Sequence, residues 1–436
     1  NRPEWSYPGY DAAQSHTYPA EHPLGDEPAY HRVQGVSASE TPRDLLLADV
    51  RGSSEPEIVA TTSQSVVVLS LTDSRRRASA PPVPEAQPGF VADLDGDGKG
   101  ELLLGAGGEQ PRVLGVNGLG QIVAQYHLGS EPGVYKSTLP LLLRRETLIA
   151  VVRPGSAYTP RGVMAISTGD GALRWIYPVP FDPVGAMALP AVGDDDTGGD
   201  GGRLIPHPRL TFQGTYPYLG KERRDARELD AALHILELAT DGSTRRIVPV
   251  GGSEAPIIGD GRFFALGGGA AAPLLLLREI EPGDAYGNVD YEAALHLVEP
   301  ETGEVRASYD LPPGWKAVDL RVVPGAGGTR VVLLLAAESG EHRLVALDGR
   351  LRPQATMEVE GATLGPVLRH TDGGPSRLLV ATEAGLLLLD PQLRAIATYP
   401  TAKGAPADQV SRIAYVEFRD SAYAVALGQE LHIWHW

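Results

Sequence analysis

The densest set of hard oxygen donors in this chain is Asp93-Leu94-Asp95-Gly96-Asp97-Gly98-Lys99-Gly100-Glu101. Carboxylates at alternate positions curl around one cation, and the glycines permit the sharp turn. Calcium, which takes about six to eight oxygen ligands, suits that pattern. The expected ligands are the side chains of Asp93, Asp95 and Asp97, the Lys99 carbonyl and the closing carboxylate of Glu101. A metal there would be structural, fixing a turn. A second acidic loop, Gly193–Gly202, offers Asp194, Asp196 and Asp200, but its spacing departs from the first. An acidic solvent loop without metal competes with that second site. A third segment, Ala48–Thr61, aligns with Ala92–Gly105 but carries Arg51, Ser53 and Ser54 where carboxylates are needed. It is expected to be metal-free.

Three long segments between apolar runs suggest a partner surface: Arg153–Arg161, Pro206–Asp230 and Arg278–Glu292. They carry Tyr158, Arg161, Arg209, Tyr216, Tyr218, Tyr286 and Tyr291. Tyr and Arg are enriched at binding hot spots, and long loops in compact domains are commonly functional. A protein partner is expected there. Catalytic residues are not singled out: there is no GxSxG, HExxH or P-loop pattern. His234, His296 and His432 each follow a Leu in a recurring strand, which fits packing. His432 and His435 fall on opposite faces of one strand. The alternative is a secreted polysaccharide-binding propeller or a polysaccharide lyase, the lyase drawing on His207, Arg209, Tyr216 and Lys221 as acid–base and charge-neutralising groups.

The 436 residues include no cysteine, which excludes disulfides, Fe–S clusters and haem c attachment. A net charge of −17 disfavours nucleic acid. The longest apolar runs, such as Val331–Ala337, are too short to span a bilayer as a helix. A start at Asn1 and the lack of cysteine suggest an exported protein, periplasmic or extracellular, with its signal peptide removed. With 52 Gly and 37 Pro, turns are frequent and long helices disfavoured.

The elements that position these loops follow from internal repetition. Asp49, Gly52, Glu57 and Ile58 recur as Asp93, Gly96, Glu101 and Leu102, 44 residues downstream. Propeller blades recur at about 40–50 residues. Hairpins recur at Val113–Leu128, Val163–Val179, Leu233–Val250, Leu295–Leu311, Arg343–Val359 and Leu386–Pro400. Each is an apolar run, a Gly/Asp/Asn turn and an alternating run. A second hairpin precedes each one, so the unit has four strands, a to d. Such a meander has two apolar faces and buries them only by packing around an axis. Units begin near Asp44, Gly89, Thr138, Gly185, Ala255, Ala317, Thr363 and Val410. The fold class is therefore all-β, an eight-bladed β-propeller with four-stranded blades; seven blades is the runner-up. The last unit ends at Trp436 without a strand d, and Ala29–Val36 is expected to close the ring as that strand. The chain divides into an irregular segment, 1–28, and a single propeller domain, 29–436.

Two resemblances accompany this pattern. The run "DLDGDGKGE" (93–101) resembles the calcium loop of FG-GAP/VCBS repeats. "VMAISTGDGALRWIYP" (163–178) and "PEWSYPGYDAAQSHTYP" (3–19) resemble PQQ-like, quinoprotein-type propellers. The first implies structural calcium in a secreted or extracytoplasmic propeller. The second implies the architecture, and for a PQQ-dependent dehydrogenase a cofactor on the axis beside a stacking tryptophan. The five tryptophans make no regular set for that role. A non-catalytic binding or scaffold subunit, in a complex that includes membrane-associated ones among its candidates, is the expected function.

Overall fold

The computed structural model describes residues 17–436, apart from short connecting stretches and the longer segments 34–41, 155–161, 190–202, 210–232, 281–290 and 402–409. The described residues form eight antiparallel blades in sequence order, with no helix among them. The blades span 42–80, 87–127, 135–178, 182–249, 260–310, 315–359, 363–400 and 412–435. The eight-bladed reading holds and the seven-bladed one falls. The expected starts differ from the observed first strands by a few residues, most at blade five, where Ala255 gives way to Asp260.

The burial of the strands explains the ring. Second and third strands are mostly apolar and largely buried because blades cover both of their faces, as in Glu101–Ala106 and Gly162–Ser167, every residue of which is buried. Fourth strands alternate, as in Val305–Asp310, because one of their faces meets water. The first strands of neighbouring blades lie against one another and line the axis. Every one of the eight seams between blades holds its own cluster of buried apolar side chains. The seam between blades eight and one, with Leu45, Ile58, Val416 and Ile433, is as dry as the others.

Side chains also stitch the inner strands together. Arg321 in blade six, 5% exposed, donates to the carbonyls of Leu364 (2.8 Å) and Gly365 (2.9 Å) in blade seven. The Thr363 hydroxyl donates to the Val410 carbonyl at the entry to blade eight (2.5 Å). Arg412 of blade eight pairs with buried Asp44 of blade one at 3.4 Å. Burial raises the Asp44 carboxyl's pKa, and Arg412 opposes that rise.

Closure comes from the N-terminal side. Strand β2 (Ala29–Val33) pairs antiparallel with Leu431–His435, from Ala29↔His435 to Val33↔Leu431. This is the expected strand d, described over Ala29–Val33; residues 34–36 lie outside the described residues. The Tyr30 hydroxyl bonds His432 Nδ1 at 2.9 Å, and its ring lies 5.5 Å from that of Trp434. Segment 1–28 shows no strand pattern, yet Thr17–Ala20 forms a strand, β1. It pairs parallel with Val367–His370 on the inner strand of blade seven, whose sheet is thereby five-stranded. With Pro19 lacking an amide hydrogen and only four residues involved, nothing in its composition signals a strand.

Trp434 is 1% exposed in the seam beside the closing strand. Trp434→Ala is expected to cost about 3–5 kcal/mol, measured by denaturant unfolding. An unchanged midpoint would mean that this seam carries none of the ring's stability.

Candidate functional site

The loop Asp93–Gly100 joins strand a of blade two (Gln87–Ala92) to strand b (Glu101–Ala106). Gly96 and Gly98 sit at φ +78° and +81°, which side-chain-bearing residues rarely adopt. That turn brings carboxylates from both ends of the loop together. One ligand atom each of Asp93, Asp95 and Glu101 lies within 4.8 Å of the others. Asp93 and Asp95 are exposed, while Glu101 is buried at the head of its strand.

Backbone amides hold the carboxylates in place. Asp93 accepts from Gly96 N–H (2.7 Å) and Gly98 N–H (3.0 Å). Asp95 accepts from Asp97 N–H at 3.1 Å, and Glu101 Oε2 from Leu94 N–H at 2.9 Å. Burial raises the Glu101 pKa; the Leu94 bond opposes this, and the charges of Asp95, Asp97 and Asp93 add to the rise. Asp97 stands apart from the trio: its carboxylate pairs with the Lys99 ammonium at 2.5 Å. That pair holds the Asp97 carboxyl below its ordinary value. Of the five residues expected to hold metal, three converge through their side chains.

Blade one repeats the scaffold without the charge. Gly52 has φ +68°, and Glu57 Oε2 accepts from Val50 N–H at 3.0 Å, as Glu101 does from Leu94. Asp49 accepts from Ser53 N–H at 3.0 Å. The Ser53 hydroxyl reaches the Glu55 carbonyl (3.3 Å) and Glu57 Oε1 (3.5 Å), where the blade-two loop has acid groups. Glu57 is 4% exposed, and burial, reinforced by Asp49 and Glu55, pushes its pKa up to about 7. The two loops touch: a side chain at Gly52 would meet the Lys99 stem at 2.6 Å.

The other expected site residues are placed as follows. Asp194, Asp196 and Asp200 lie outside the described residues, as do Tyr158, Arg161, Tyr216, Tyr218 and Tyr286. Arg209 ends a strand of blade four, Arg203–Arg209. Tyr291 is half-buried against the seam between blades five and six; its hydroxyl donates to Glu279 Oε1 at 2.8 Å, and Lys316 Nζ lies 5.1 Å from its ring centre. His207 is buried, its Nδ1 accepting from Phe263 N–H of blade five at 2.8 Å. Burial, with Arg262 adding, drops its pKa to about 3. The ring is thus enclosed, with Nδ1 occupied and Nε2 without a hydrogen-bond partner among the described residues. His296 bonds the Ser308 hydroxyl (2.8 Å) and His432 bonds Tyr30, so both histidines face the fourth strand of their blade. His435 stacks on Tyr423 at 4.4 Å, on the other face from His432.

The fold is shared with known propellers. No protein-family model matches the chain, and no curated protein matches it in sequence. Solved structures do match. One is the quinohemoprotein alcohol dehydrogenase of Comamonas testosteroni, at 13% identity and TM-score 0.55, covering 99% of this chain and 80% of that one. The quinohemoprotein alcohol dehydrogenase ADHIIG of Pseudomonas putida HK5 matches at 11% and 0.56, with coverage of 99% and 80%. A europium-containing methanol dehydrogenase matches at 11% and 0.52, with coverage of 97% and 89%. The fold resembles that of quinoprotein dehydrogenases. At these identities the likeness is one of fold alone. Among the described residues, no helix is long and apolar enough to cross a membrane.

Glu57 supplies a pH test. Its pKa in the fold, about 7, exceeds the ordinary 4.5, so its contribution is intact below pH 4.5 and is lost as pH rises through 7. Glu57→Gln is expected to remove that loss, so that its melting temperature relative to the parent rises between about pH 3.5 and pH 8, roughly one unit beyond each end of the window. A constant difference across that range would show that Glu57 does not titrate there.

Proposed function

We propose that this chain is a non-catalytic binding or scaffold propeller, exported from the cytoplasm, with structural calcium in the Asp93–Glu101 loop and a protein partner on one face. The observation that carries the partner reading is topological. Segments 155–161, 210–232 and 281–290 each join the second strand to the third in three consecutive blades, three, four and five. The strand ends that flank connections of that type lie on one face of a propeller, so the anchors of all three segments share it. The enclosure of His207 weighs against the lyase alternative on the same face.

The calcium reading rests on charge. Asp93, Asp95 and Glu101 converge with Asp97 beside them, and Lys99 is already paired with Asp97. A divalent cation would offset the burial that chiefly raises Glu101 and the aspartate charges that add to it, and an FG-GAP-type loop closes on such an ion through its last carboxylate. The ion would lock the loop of blade two against that of blade one, where Lys99 already lies over Gly52. Export is consistent with the absence of cysteine.

Asp95→Ala is expected to abolish calcium uptake and the rise in melting temperature on adding calcium. The same metal content and the same calcium-dependent rise in the variant would refute the site. For the partner, replacing 210–230 with a short linker is expected to leave the melting temperature within a few degrees of the parent, since a loop change acts weakly on stability. Native mass analysis of protein isolated from its source would then show companion subunits with the parent and none with the variant. Companions retained by the shortened chain would place the partner on another surface.

A further inference from the structure

The sequence reads 1–28 as irregular, but the described part of that segment is built into the propeller at its axis. The inner strand of blade seven, Thr363–His370, has one edge paired to its own blade and the other facing the axis. β1 occupies that axial edge in parallel register, Thr17↔Val367 to Ala20↔His370. Its docking is specific. Tyr18 is 6% exposed, its ring packs edge-on against Tyr415 at 5.0 Å, and its hydroxyl accepts from Glu417 N–H at 3.2 Å. Beyond the strand, Glu21 N–H donates to both oxygens of Glu417, at 3.0 and 2.9 Å, and Tyr415 donates to the same carboxylate at 2.7 Å. Leu24 is 1% exposed, and its carbonyl accepts from Tyr399 at 2.6 Å. The chain then reaches the rim as β2. The segment thus runs from axis to rim along the seam between blades seven and eight, as a strap.

A flat aromatic cofactor at the axis needs open space there and an aromatic face to lie against. The described tryptophans are committed elsewhere. Trp175 packs into the seam between blades three and four, Trp315 into that between five and six, and Trp434 and Trp436 into that between seven and eight. Trp315 also carries the Arg343 guanidinium over its ring at 4.3 Å. The axial edge of blade seven is filled by β1. These residues do not fit a quinone.

We infer that β1 is an in-cis plug for the axial edge of blade seven: the chain covers that edge with its own strand, so that it is not open to a ligand. The strap that carries the plug bolts blade seven to blade eight. This inference does not depend on which partner the blade three-to-five face receives.

The test uses the full chain and two readouts. Hydrogen exchange followed by mass spectrometry is expected to protect the Tyr18, Ala20 and Glu21 amides as strongly as those of Thr363–His370. Calorimetric titration with pyrroloquinoline quinone in calcium buffer is expected to show no stoichiometric binding. Glu417→Ala removes the strap's anchor and is expected to speed exchange at Tyr18–Glu21 about tenfold or more, with protection of β2 unchanged. Unprotected strap amides in the parent chain would overturn the plug. So would one-to-one quinone binding with those amides still protected, or a Glu417→Ala chain whose strap exchanges like the parent's.

Discussion

A propeller blade has no dry interior of its own, and its apolar faces are covered only by the blades on either side. The whole structure therefore depends on the ring being closed. Here closure is a five-residue pairing between β2 and Leu431–His435, across a sequence separation of about 400 residues. Without it the edge of Leu431–His435 would be open, and the seam between blades eight and one would lose the outer wall of its cluster. The Arg412–Asp44 pair and the strap reinforce the same region, at the inner strands and across the seam between blades seven and eight. An ion pair and an added strand thus gather around the blade whose sheet is completed from the far end of the chain. That is the physical expectation for a ring with one non-covalent joint.

Much of this was legible in the sequence, for a simple reason. Blade strands are buried on both faces or on one, and the two cases leave different apolar patterns, continuous in Leu102–Leu104 and alternating in Val305–Asp310. Turn residues mark the joints, so eight units and a missing last strand can be counted. The closing strand was visible because Ala29–Val33 has blade-like length and stands where an outer strand is missing. β1 was not visible. It pairs in parallel with a strand about 350 residues away, contains Pro19, and owes its place to Tyr18 and to backbone bonds with Glu417. Its information lies in the partner, not in its own composition.

The acidic loop divides in the same way. Convergence of Asp93, Asp95 and Glu101 could be read from spacing, because glycines at 96 and 98 dictate the turn. The diversion of Asp97 to Lys99 could not, since an exposed ammonium two residues away competes for a carboxylate by geometry alone. The role of His207 was equally hidden. In sequence it lies beside the longest insertion and offers itself to chemistry; in the fold its neighbour is the inner strand of the next blade. A residue at the end of a strand is read from its own segment, while its chemistry is set by the blade it leans on.

The loops of blades one and two show how a repeat can keep a scaffold while changing its charge. Both hold a buried glutamate by an amide seven residues earlier in the chain, Val50 for Glu57 and Leu94 for Glu101. In blade two, burial raises the glutamate's pKa, and the charges of Asp95, Asp97 and Asp93 add to the rise. In blade one, Ser53 stands near the glutamate and Arg51 is close enough to lower its pKa, yet burial drives that pKa up to about 7. The same backbone turn therefore poses the same electrostatic problem twice, a carboxylate buried at the head of a strand, and the neighbouring residues set how it is answered. Because the Lys99 stem packs on Gly52, the two loops sit in contact, and the geometry of one constrains the other.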